Sequence, residues 1–414
     1  MKAWLPLLSL ALLAACGSED ERPRLNGPVP LPECPEASYE PCDIRKAACQ
    51  AGLAELAACL RESSAPPEVA IELMSETEYA SVVRAGYADV PEPTNKHFDT
   101  ALSRFGLAPR GGVPRADDIF AFVAKLGGVY RGHEKRIVII DHGEPADDEL
   151  SNLILLHELV HALQDAEHDL LHWPDDEPLT FDSALARRTV VEGEASFYEA
   201  RAAVPFLGLD IADVDFEMAM QQRLDRTLEG AFEAELLLSN SFVTVTYGMG
   251  ALVSFHAWQE GGPSGIEPLW QAPPRTMQRV MSAIFGQNTP VDAGIDIPAP
   301  DIADLEPYAD EVLGAWGLNL TLGQAAKTHD SVPLALTWRG DRFSVYTDTN
   351  ESTFALWQLE LESPEAAQKL DEFFASSGAT THETAGSRLF VSYGIDVEAS
   401  PSLTEWGRAW LAEQ

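Results

Sequence analysis

Positive charge is scarce in this chain of 414 residues. Lysine and arginine supply 28 residues against 66 aspartates and glutamates, so the formal net charge is −38. A field of this sign repels phosphate backbones, which argues against nucleic acid as a partner. The same charge favours solubility but identifies no partner by itself.

The sequence also lacks internal repeats, glycine-rich phosphate loops and nucleophile elbows. Its most apolar run, WLPLLSLALLAAC at 4–16, is too short to span a bilayer stably. With Lys2 before it and small residues at its end, the run predicts a secretory signal over 1–15. A polar tether rich in proline and glycine follows at 16–33.

The end of this signal, Leu13-Ala14-Ala15-Cys16, resembles a bacterial lipobox. The resemblance implies cleavage before Cys16 and a lipid on that cysteine, which would anchor the protein to a membrane of the cell envelope. No aspartate follows Cys16 directly, and by resemblance to known sorting rules this favours the outer membrane. The alternative is a plain signal peptide with an incidental cysteine.

Cysteine is missing from the whole chain after Cys59, and the remaining four cluster within 34–65. In an exported protein, two disulfides are the expected state, with three possible pairings. A continuous helix would hold Cys49 and Cys59 about 15 Å apart, which excludes a bond between these two. A four-cysteine zinc site is the alternative, although no C-x-x-C pair is present. We expect a small stapled helical cap.

The segment DDELSNLILLHELVHALQDAEHDLL has apolar residues at helical spacing and acidic residues near its start. The pentapeptide HELVH therefore lies inside a predicted helix. Residues four apart share one helix face, so His157 and His161 can bind one metal ion. Glu158 lies beside the first ligand, within reach of a water held at that metal. This pattern is typical of zinc hydrolases, with Glu158 as general base.

A third ligand is needed to complete such a site. The class that takes a histidine from H-E-x-x-H-x-x-G-x-x-H does not fit, because Gln164 and Glu167 occupy the glycine and histidine positions. The other class takes a glutamate from a second helix. ALARRTVVEGEASFYEARAA has a helical pattern about 30 residues downstream, and Glu192 is an acid on its apolar stretch.

HELVHALQD followed by VEGEA resembles the secreted and membrane-anchored bacterial gluzincin-like metallopeptidases. VTYGMGALVSFHAWQEGG and APPRTMQRVM resemble later segments of the same family more weakly, and the resemblance covers roughly 68–330. It implies zinc ligands at His157, His161 and Glu192, a catalytic Glu158, and hydrolysis of peptide bonds. The family pattern also has Glu-Gln and then a histidine after the two prolines.

This chain departs from that pattern, because Gln278, Arg279 and Ser282 occupy those positions. If the missing histidine stabilises an oxyanion in relatives, Tyr247 or His256 would have to replace it. We assign Tyr247 as the second catalytic residue. Both candidates also have a simpler interpretation. Tyr247 would be a core aromatic residue, and His256 would be a surface histidine on an amphipathic helix.

Three nearby features are weaker candidates for a role in the metal site. His168 and His172 are also four apart, but no glutamate occupies the base position between them, and we expect a helix end there. Glu194 points about 200° away from Glu192 on a helix, which favours a supporting role over ligation. Asp165, four residues after His161, is expected to orient a histidine.

The predicted fold class is α+β. A zincin-like metallopeptidase core, mainly helical with a small sheet, occupies 66–330. A C-terminal α+β module follows at 331–414, with strands within VPLALTWRGDRFSVYTD, STFALWQLELES and SRLFVSYGIDV and a helix at PEAAQKLDEFFASS. The expected partners are a peptide or protein substrate and, through Cys16, a membrane. The alternative function is a catalytically degenerate zincin-fold lipoprotein that acts as a binding or scaffold protein.

Overall fold

A computed structural model gives the protein a mixed α+β fold. It describes residues 31–34, 38–87, 96–108, 126–143, 147–173, 179–232, 237–242, 244–286, 289–302, 304–324, 328–377, 381–395 and 400–413. The predicted signal, Cys16 and nearly all of the tether lie outside these residues. The sequence ADDIFAFVAKLG, 116–127, has a helical pattern, and it also lies outside the described residues except for its last two.

The helices and strands alternate irregularly along the chain. The helices are α1 (Ala47–Arg61), α2 (Glu76–Tyr87), α3 (Lys96–Arg104), α4 (Glu149–His168), α5 (Phe181–Phe206), α6 (Phe216–Ala231), α7 (Leu237–Ser241), α8 (Val245–Gly261), α9 (Pro263–Gln271), α10 (Met277–Phe285), α11 (Gly314–Gly323), α12 (Val332–Ala335), α13 (Pro364–Ser377) and α14 (Pro401–Ala412). The strands are β1 (Ala70–Ser75), β2 (Gly128–Arg131), β3 (Arg136–Asp141), β4 (Glu306–Glu311), β5 (Trp338–Thr347), β6 (Thr353–Leu361), β7 (Thr381–Ala385) and β8 (Arg388–Ile395).

The N-terminal sheet has three strands in the order β1-β3-β2. β1 runs parallel to β3 and β2 antiparallel to it. The central strand β3 carries a continuous apolar run, Ile137 to Ile140, whose four side chains are all buried. This is the pattern of a strand covered on both faces. The sequence predicts a strand at EVAIELMS, 68–75, and two short strands joined by a polar turn at GGVYRGHEKRIVIIDH, 127–142, and β1, β2 and β3 confirm these predictions.

Two long helices form the centre of the molecule. Asp148 caps α4 by accepting a hydrogen bond from the Ser151 N–H at 2.7 Å, and α4 is buried from Asn152 to Asp165 except at Ile154. α5 is buried along most of its 26 residues. Both helices predicted around the metal motif are thus confirmed. Among the described residues, no helix has the length and apolar character needed to cross a bilayer.

Two glycines let α5 and α8 cross at close range. A methyl group added to Gly250 would lie 2.6 Å from the Gly193 Cα, inside contact distance, so only glycine permits this approach. Gly193 directly follows Glu192, and Gly250 lies three residues after Tyr247. The crossing therefore brings Tyr247 close to Glu192.

The stapled cap consists of Cys34, residues 38–62 and their two disulfides, with α1 as its main element. Cys34 pairs with Cys59 and Cys42 pairs with Cys49. The prediction of two disulfides is confirmed, and the alternative of a four-cysteine zinc site is wrong. Cys49 and Cys59 lie on one continuous helix and do not pair with each other, as its length requires.

The C-terminal sheet has five antiparallel strands in the order β4-β5-β6-β8-β7. The three predicted strands and the helix between the last two are present. One boundary is wrong, because 332–335 form the short helix α12, with Pro333 in its first turn, and β5 starts only at Trp338. Phe105, just after α3, packs on Phe343 and Trp357, so this sheet shares the main core.

Candidate metal centre

Three buried side chains from two helices converge on one point. His157 and His161 lie one turn apart on α4, and Glu192 faces them from α5; each is exposed by 7% or less. The two Nε2 atoms are 3.1 Å apart. The Glu192 Oε2 atom lies 3.4 Å from the Nε2 of His157 and 3.3 Å from that of His161. The structure thus brings together the three predicted ligands.

Hydrogen bonds at the far side of each ring fix where its lone pair points. The His157 Nδ1 lies 3.0 Å from the Glu199 carboxylate, which can only accept when ionised, so Nδ1 carries the proton. The His161 Nδ1 lies 2.8 Å from the Gln164 Oε1, which also only accepts. In the neutral rings, both Nε2 lone pairs therefore face Glu192 Oε2.

This arrangement fits a bound zinc ion. With both imidazoles neutral, three acceptor atoms face one another without a donor between them, and Glu192 Oε2 accepts no well-formed hydrogen bond from the described residues. Tetrahedral zinc with ligand bonds near 2.0–2.1 Å places neighbouring ligand atoms about 3.3 Å apart, close to the three distances observed. Two imidazoles and a carboxylate also match the ligand preference of zinc.

The electrostatics of the cluster indicate the same need for positive charge. Burial disfavours the protonated imidazole of His157, but the Glu192 and Glu199 carboxylates at its two nitrogens outweigh this effect and raise its pKa to about 10. Burial opposes ionisation of Glu192, but the charges of Arg188 and His161 hold its pKa well below the usual range. Both shifts show that the cluster favours positive charge beside the Glu192 carboxylate.

Glu158 lies beside the cluster without belonging to it. It is 7% exposed, and the backbone N–H of Tyr130 on β2 donates to its carboxylate. Burial raises its pKa, while the charges of His157 and His161 act in the opposite direction. A methyl group at Gly128 would lie 3.0 Å from the Glu158 Cγ, so the absence of a side chain there lets β2 approach α4.

Two further polar side chains border the cluster. The Tyr247 ring stacks on His157 with centroids 5.6 Å apart and an angle of 15° between the planes, and its hydroxyl contacts Glu192. Arg188 lies one turn before Glu192 on α5 and binds its Oε1 at 2.7 Å. Its guanidinium also contacts Tyr247, while its side chain remains 42% exposed. Both residues are thus placed where solvent meets the cluster.

The supporting residues differ in part from those predicted. Glu194 lies outside the ligand set and binds Gln164, Arg61 and Trp270, in agreement with the predicted supporting role. The prediction for Asp165 is wrong. Its carboxylate accepts from Tyr130, Lys135 and the Leu170 N–H instead of from a histidine. Gln164 and Glu199 orient the rings.

The other histidines stand apart from the cluster. α4 ends at His168, whose ring stacks on Trp270 at 4.3 Å, and the exposed His172 bonds Asp169. These contacts agree with the predicted helix end. His256 lies about 13 Å further along α8 than Tyr247, near the charges of Glu217 and Glu260.

The segment that departs from the family pattern has a structural role at Gln278. Its buried amide donates to the carbonyls of Thr289 and Leu336 and accepts from the Val291 N–H. Ser282 is also buried. The hydrogen bonds of Gln278 thus hold a loop and the turn before β5.

Sequence reasoning missed several residues of the centre, yet a signal for some was present. Arg188, Glu192 and Glu199 are polar residues at intervals of four and seven along α5, which places them on one face. Gln164 lies three residues after His161, within reach of the same face. Arg61 of the stapled cap has no comparable signal, since its partner Glu194 is 133 residues away.

Comparison with known proteins finds a family match in the C-terminal part of the chain. A family described as a domain of unknown function (DUF8575) matches residues 305–404, which extend from just before β4 into the first turn of α14. The residues of the candidate metal centre all precede this range. No curated protein and no solved structure matches the chain at a significant level.

Proposed function

We propose that the protein is a zinc-dependent metallopeptidase of the gluzincin-like type that hydrolyses peptide bonds. The observation that carries the proposal is the convergence of two imidazole lone pairs and a carboxylate oxygen, 3.1–3.4 Å apart, on one buried point. His157, His161 and Glu192 would hold the ion. A zinc ion bound there supplies Lewis acidity, which polarises a carbonyl group and acidifies water.

Side chains of the protein would accept and donate the protons that the reaction transfers. Glu158 is held beside the ligands by the Tyr130 N–H, and its carboxylate accepts a proton from the attacking water. The same group then delivers this proton to the amine that leaves. General acid–base catalysis of this kind typically contributes roughly 10²–10⁴-fold to the rate.

Negative charge that develops on the carbonyl oxygen needs a donor. Tyr247 retains the phenolic proton at neutral pH and contacts Glu192. Arg188 adds a guanidinium with the same neighbours. We assign this role to the neutral Tyr247 hydroxyl, with the Arg188 guanidinium as an additional donor, in place of the histidine missing at Ser282.

The proposal is tested by incubating the purified protein with zinc and a broad peptide library. Glu158→Gln preserves the size of the side chain and removes its basicity, so zinc content should remain near that of the wild type. Peptidase activity should fall by about two or more orders of magnitude. Glu149→Gln, at an exposed position of the same helix, is the matched control and should remain active.

The alternative is a zincin-fold protein that binds a partner and has lost catalysis. The observation in its favour is the structural role of Gln278 where the family pattern differs. A wild-type protein that binds zinc and cleaves nothing in the library would support this alternative. Cleavage by Glu158→Gln at the wild-type rate would assign the activity to a contaminant or to another site.

We also propose that the protein is lipidated on Cys16 and attached to the outer membrane. The support is the Leu13-Ala14-Ala15-Cys16 sequence at the end of the apolar run. Cys16→Ser should block processing or release the protein from membranes, as followed by membrane fractionation and mass spectrometry of the N-terminus. A variant processed and fractionated like the wild type would contradict a lipid anchor.

A further inference from the structure

The stapled cap contacts the metal-binding helix near both of its ends. Near the start of α4, the Asn152 side chain accepts from the Cys42 N–H at 3.2 Å and donates to the Cys42 carbonyl at 2.9 Å. Near its end, Arg61 of the cap binds Glu167 at 2.9 Å. The cap therefore spans the stretch of α4 that carries His157 and His161.

A continuous chain of hydrogen bonds leads from the cap to a predicted ligand. The Arg61 Nε donates to Glu194 Oε1 at 3.0 Å. Glu194 Oε2 accepts from the Gln164 Nε2 at 2.9 Å, and Gln164 Oε1 accepts from the His161 Nδ1 at 2.8 Å. Arg61, Glu194, Gln164 and His161 together form what we term the cap relay.

The relay fixes the orientation of the Gln164 amide. Its Nε2 donates both to Glu194 and, at 3.0 Å, to the Val191 carbonyl, so both amide protons have acceptors. The amide oxygen must then face His161, where it accepts from Nδ1–H. If Glu194 moved away, the amide could turn and present a donor to the ring. The His161 lone pair would then no longer be fixed toward the cluster.

Stability alone does not account for the buried ion pair at the start of the relay. The Arg61 and Glu194 side chains are only 5% and 3% exposed. Removing two charges from water is costly, and apolar residues in such positions are often equally or more stable. An ion pair does fix the orientation of its partners, because the planar guanidinium of Arg61 binds the Glu194 and Glu167 carboxylates at fixed angles. The Cys34–Cys59 disulfide, two residues before Arg61, fixes the helix end that carries it.

We propose that the stapled cap is part of the metal centre, with Arg61 as a positioning residue that acts through Glu194 and Gln164 on His161. This inference rests on the proposed zinc site. Outer partners of a metal-bound histidine set its tautomer and ring orientation, and their loss typically costs roughly 10–100-fold in metal affinity. The cap would thus set the affinity of the centre for zinc.

The test measures zinc dissociation constants of the full chain by competition with a chromogenic chelator. Arg61→Met should weaken zinc binding by about 10–100-fold. Arg61→Lys keeps the charge without the planar fork and should give an intermediate loss. Glu194→Gln serves as a second variant in case Arg61→Met does not fold. It leaves an oxygen for Gln164 but presents an amide donor to Arg61, so it should also weaken zinc binding.

The control removes a different buried arginine from the boundary between cap and body. Arg201 is 1% exposed, bonds the Leu60 carbonyl at 3.3 Å and lies over the Trp258 ring. Arg201→Met should lower the free energy of unfolding while leaving the zinc dissociation constant within about twofold of wild type, since Arg201 is not a member of the relay. If the cap had only a structural role, Arg61→Met and Arg201→Met would both lower the free energy of unfolding. Their zinc dissociation constants would then not differ.

A second readout needs no metal. Histidine ¹⁵N chemical shifts of the metal-free protein should show His161 protonated at Nδ1, and Arg61→Lys or Glu194→Gln should weaken this preference. Equal zinc affinity and an unchanged His161 tautomer in these relay variants would overturn the role of the cap. A wild-type protein that binds no zinc would instead overturn the proposed function.

Discussion

Glu192 and Asp341 are both buried carboxylates, but their surroundings differ. Asp341 accepts four hydrogen bonds, from the backbone N–H groups of Leu313 and Gly314 and from the indole N–H groups of Trp338 and Trp357, at 2.8–3.0 Å. Glu192 has Arg188 at one oxygen, and its other oxygen faces two imidazole nitrogens. One carboxylate has a full set of donors, and the other does not.

The difference separates a structural carboxylate from a candidate ligand. Four N–H donors satisfy the lone pairs of Asp341, so its site needs no ion, and it joins the turn before α11 to β5 and β6. The Glu192 Oε2 atom accepts no well-formed hydrogen bond from the described residues and faces two imidazole nitrogens, an arrangement that suits a positive charge between them. Burial of an acid therefore does not indicate a metal site by itself, whereas a carboxylate oxygen that faces two imidazole nitrogens at close range does.

The largest expected effect comes from removing the Glu192 charge. Glu192→Gln should weaken zinc binding by more than about 100-fold, because even the loss of an outer partner costs roughly 10–100-fold. Glu194→Gln is the matched substitution two residues away and should have the smaller effect of a relay residue. Metal analysis after dialysis against a weak chelator measures both. Wild-type zinc content in Glu192→Gln would remove Glu192 from the ligand set.

The helices of this centre could be predicted from sequence because their signals are local. Apolar spacing and the acids before α4 place HELVH on a helix, and the four-residue interval places both imidazoles on one face. Glu192 is predicted as the third ligand on other grounds, because it is an acid on an apolar stretch and VEGEA resembles the gluzincin-like pattern. The relay could not be predicted, because the Arg61–Glu194 contact joins residues 133 positions apart.

Several strand errors have a different cause. β4 and β7 were not predicted as strands, and both lie at edges of the five-stranded sheet, where one neighbour and partial exposure leave no regular apolar alternation. At 332–335 the apolar residues resemble a strand, but Pro333 in the first turn of α12 and the packing of that turn favour a helix. Tertiary contacts decided these cases.

Substitution of Asp341 by asparagine tests whether this carboxylate stabilises the fold without binding a metal ion. Asp341→Asn keeps one acceptor oxygen and turns an amide group toward N–H donors, so two of the four donors lose their partner. At about 1–3 kcal/mol for each of the two unpaired donors, the free energy of unfolding should fall by about 2–6 kcal/mol. Zinc affinity should remain unchanged. Urea unfolding and chelator competition measure the two quantities.

The control for Asp341→Asn is Asp296→Asn in the same part of the chain. The Asp296 side chain is 94% exposed and lies 3.5 Å from Arg342, so its loss should change stability by less than about 1 kcal/mol. Equal losses of zinc affinity in Asp341→Asn and Glu192→Gln would abolish the distinction between the two carboxylates.

A third buried carboxylate, Asp182 in the first turn of α5, sharpens the comparison. It accepts one backbone hydrogen bond, from the Met277 N–H at 3.1 Å. Burial raises its pKa well above the usual range, and the nearby charges of Asp341 and Glu311 act in the same direction. With one donor instead of four, Asp182 is best stabilised in its protonated form.

The raised pKa of Asp182 predicts that the free energy of unfolding changes with pH. A carboxyl group whose folded-state pKa is raised contributes stability that is complete below its unfolded pKa, near 3.9, and is lost as pH rises through the folded value. Asp182→Asn keeps an acceptor for the Met277 N–H and cannot ionise. Its stability relative to wild type should rise between pH 5 and pH 9, by about 1.4 kcal/mol for each unit of pKa shift traversed.

The matched control is Asp215→Asn, at the exposed cap of α6, whose effect should not vary over this range. Denaturant unfolding of the three proteins at several pH values measures the difference, and parallel curves for Asp182→Asn and wild type would show that Asp182 titrates normally in the folded protein.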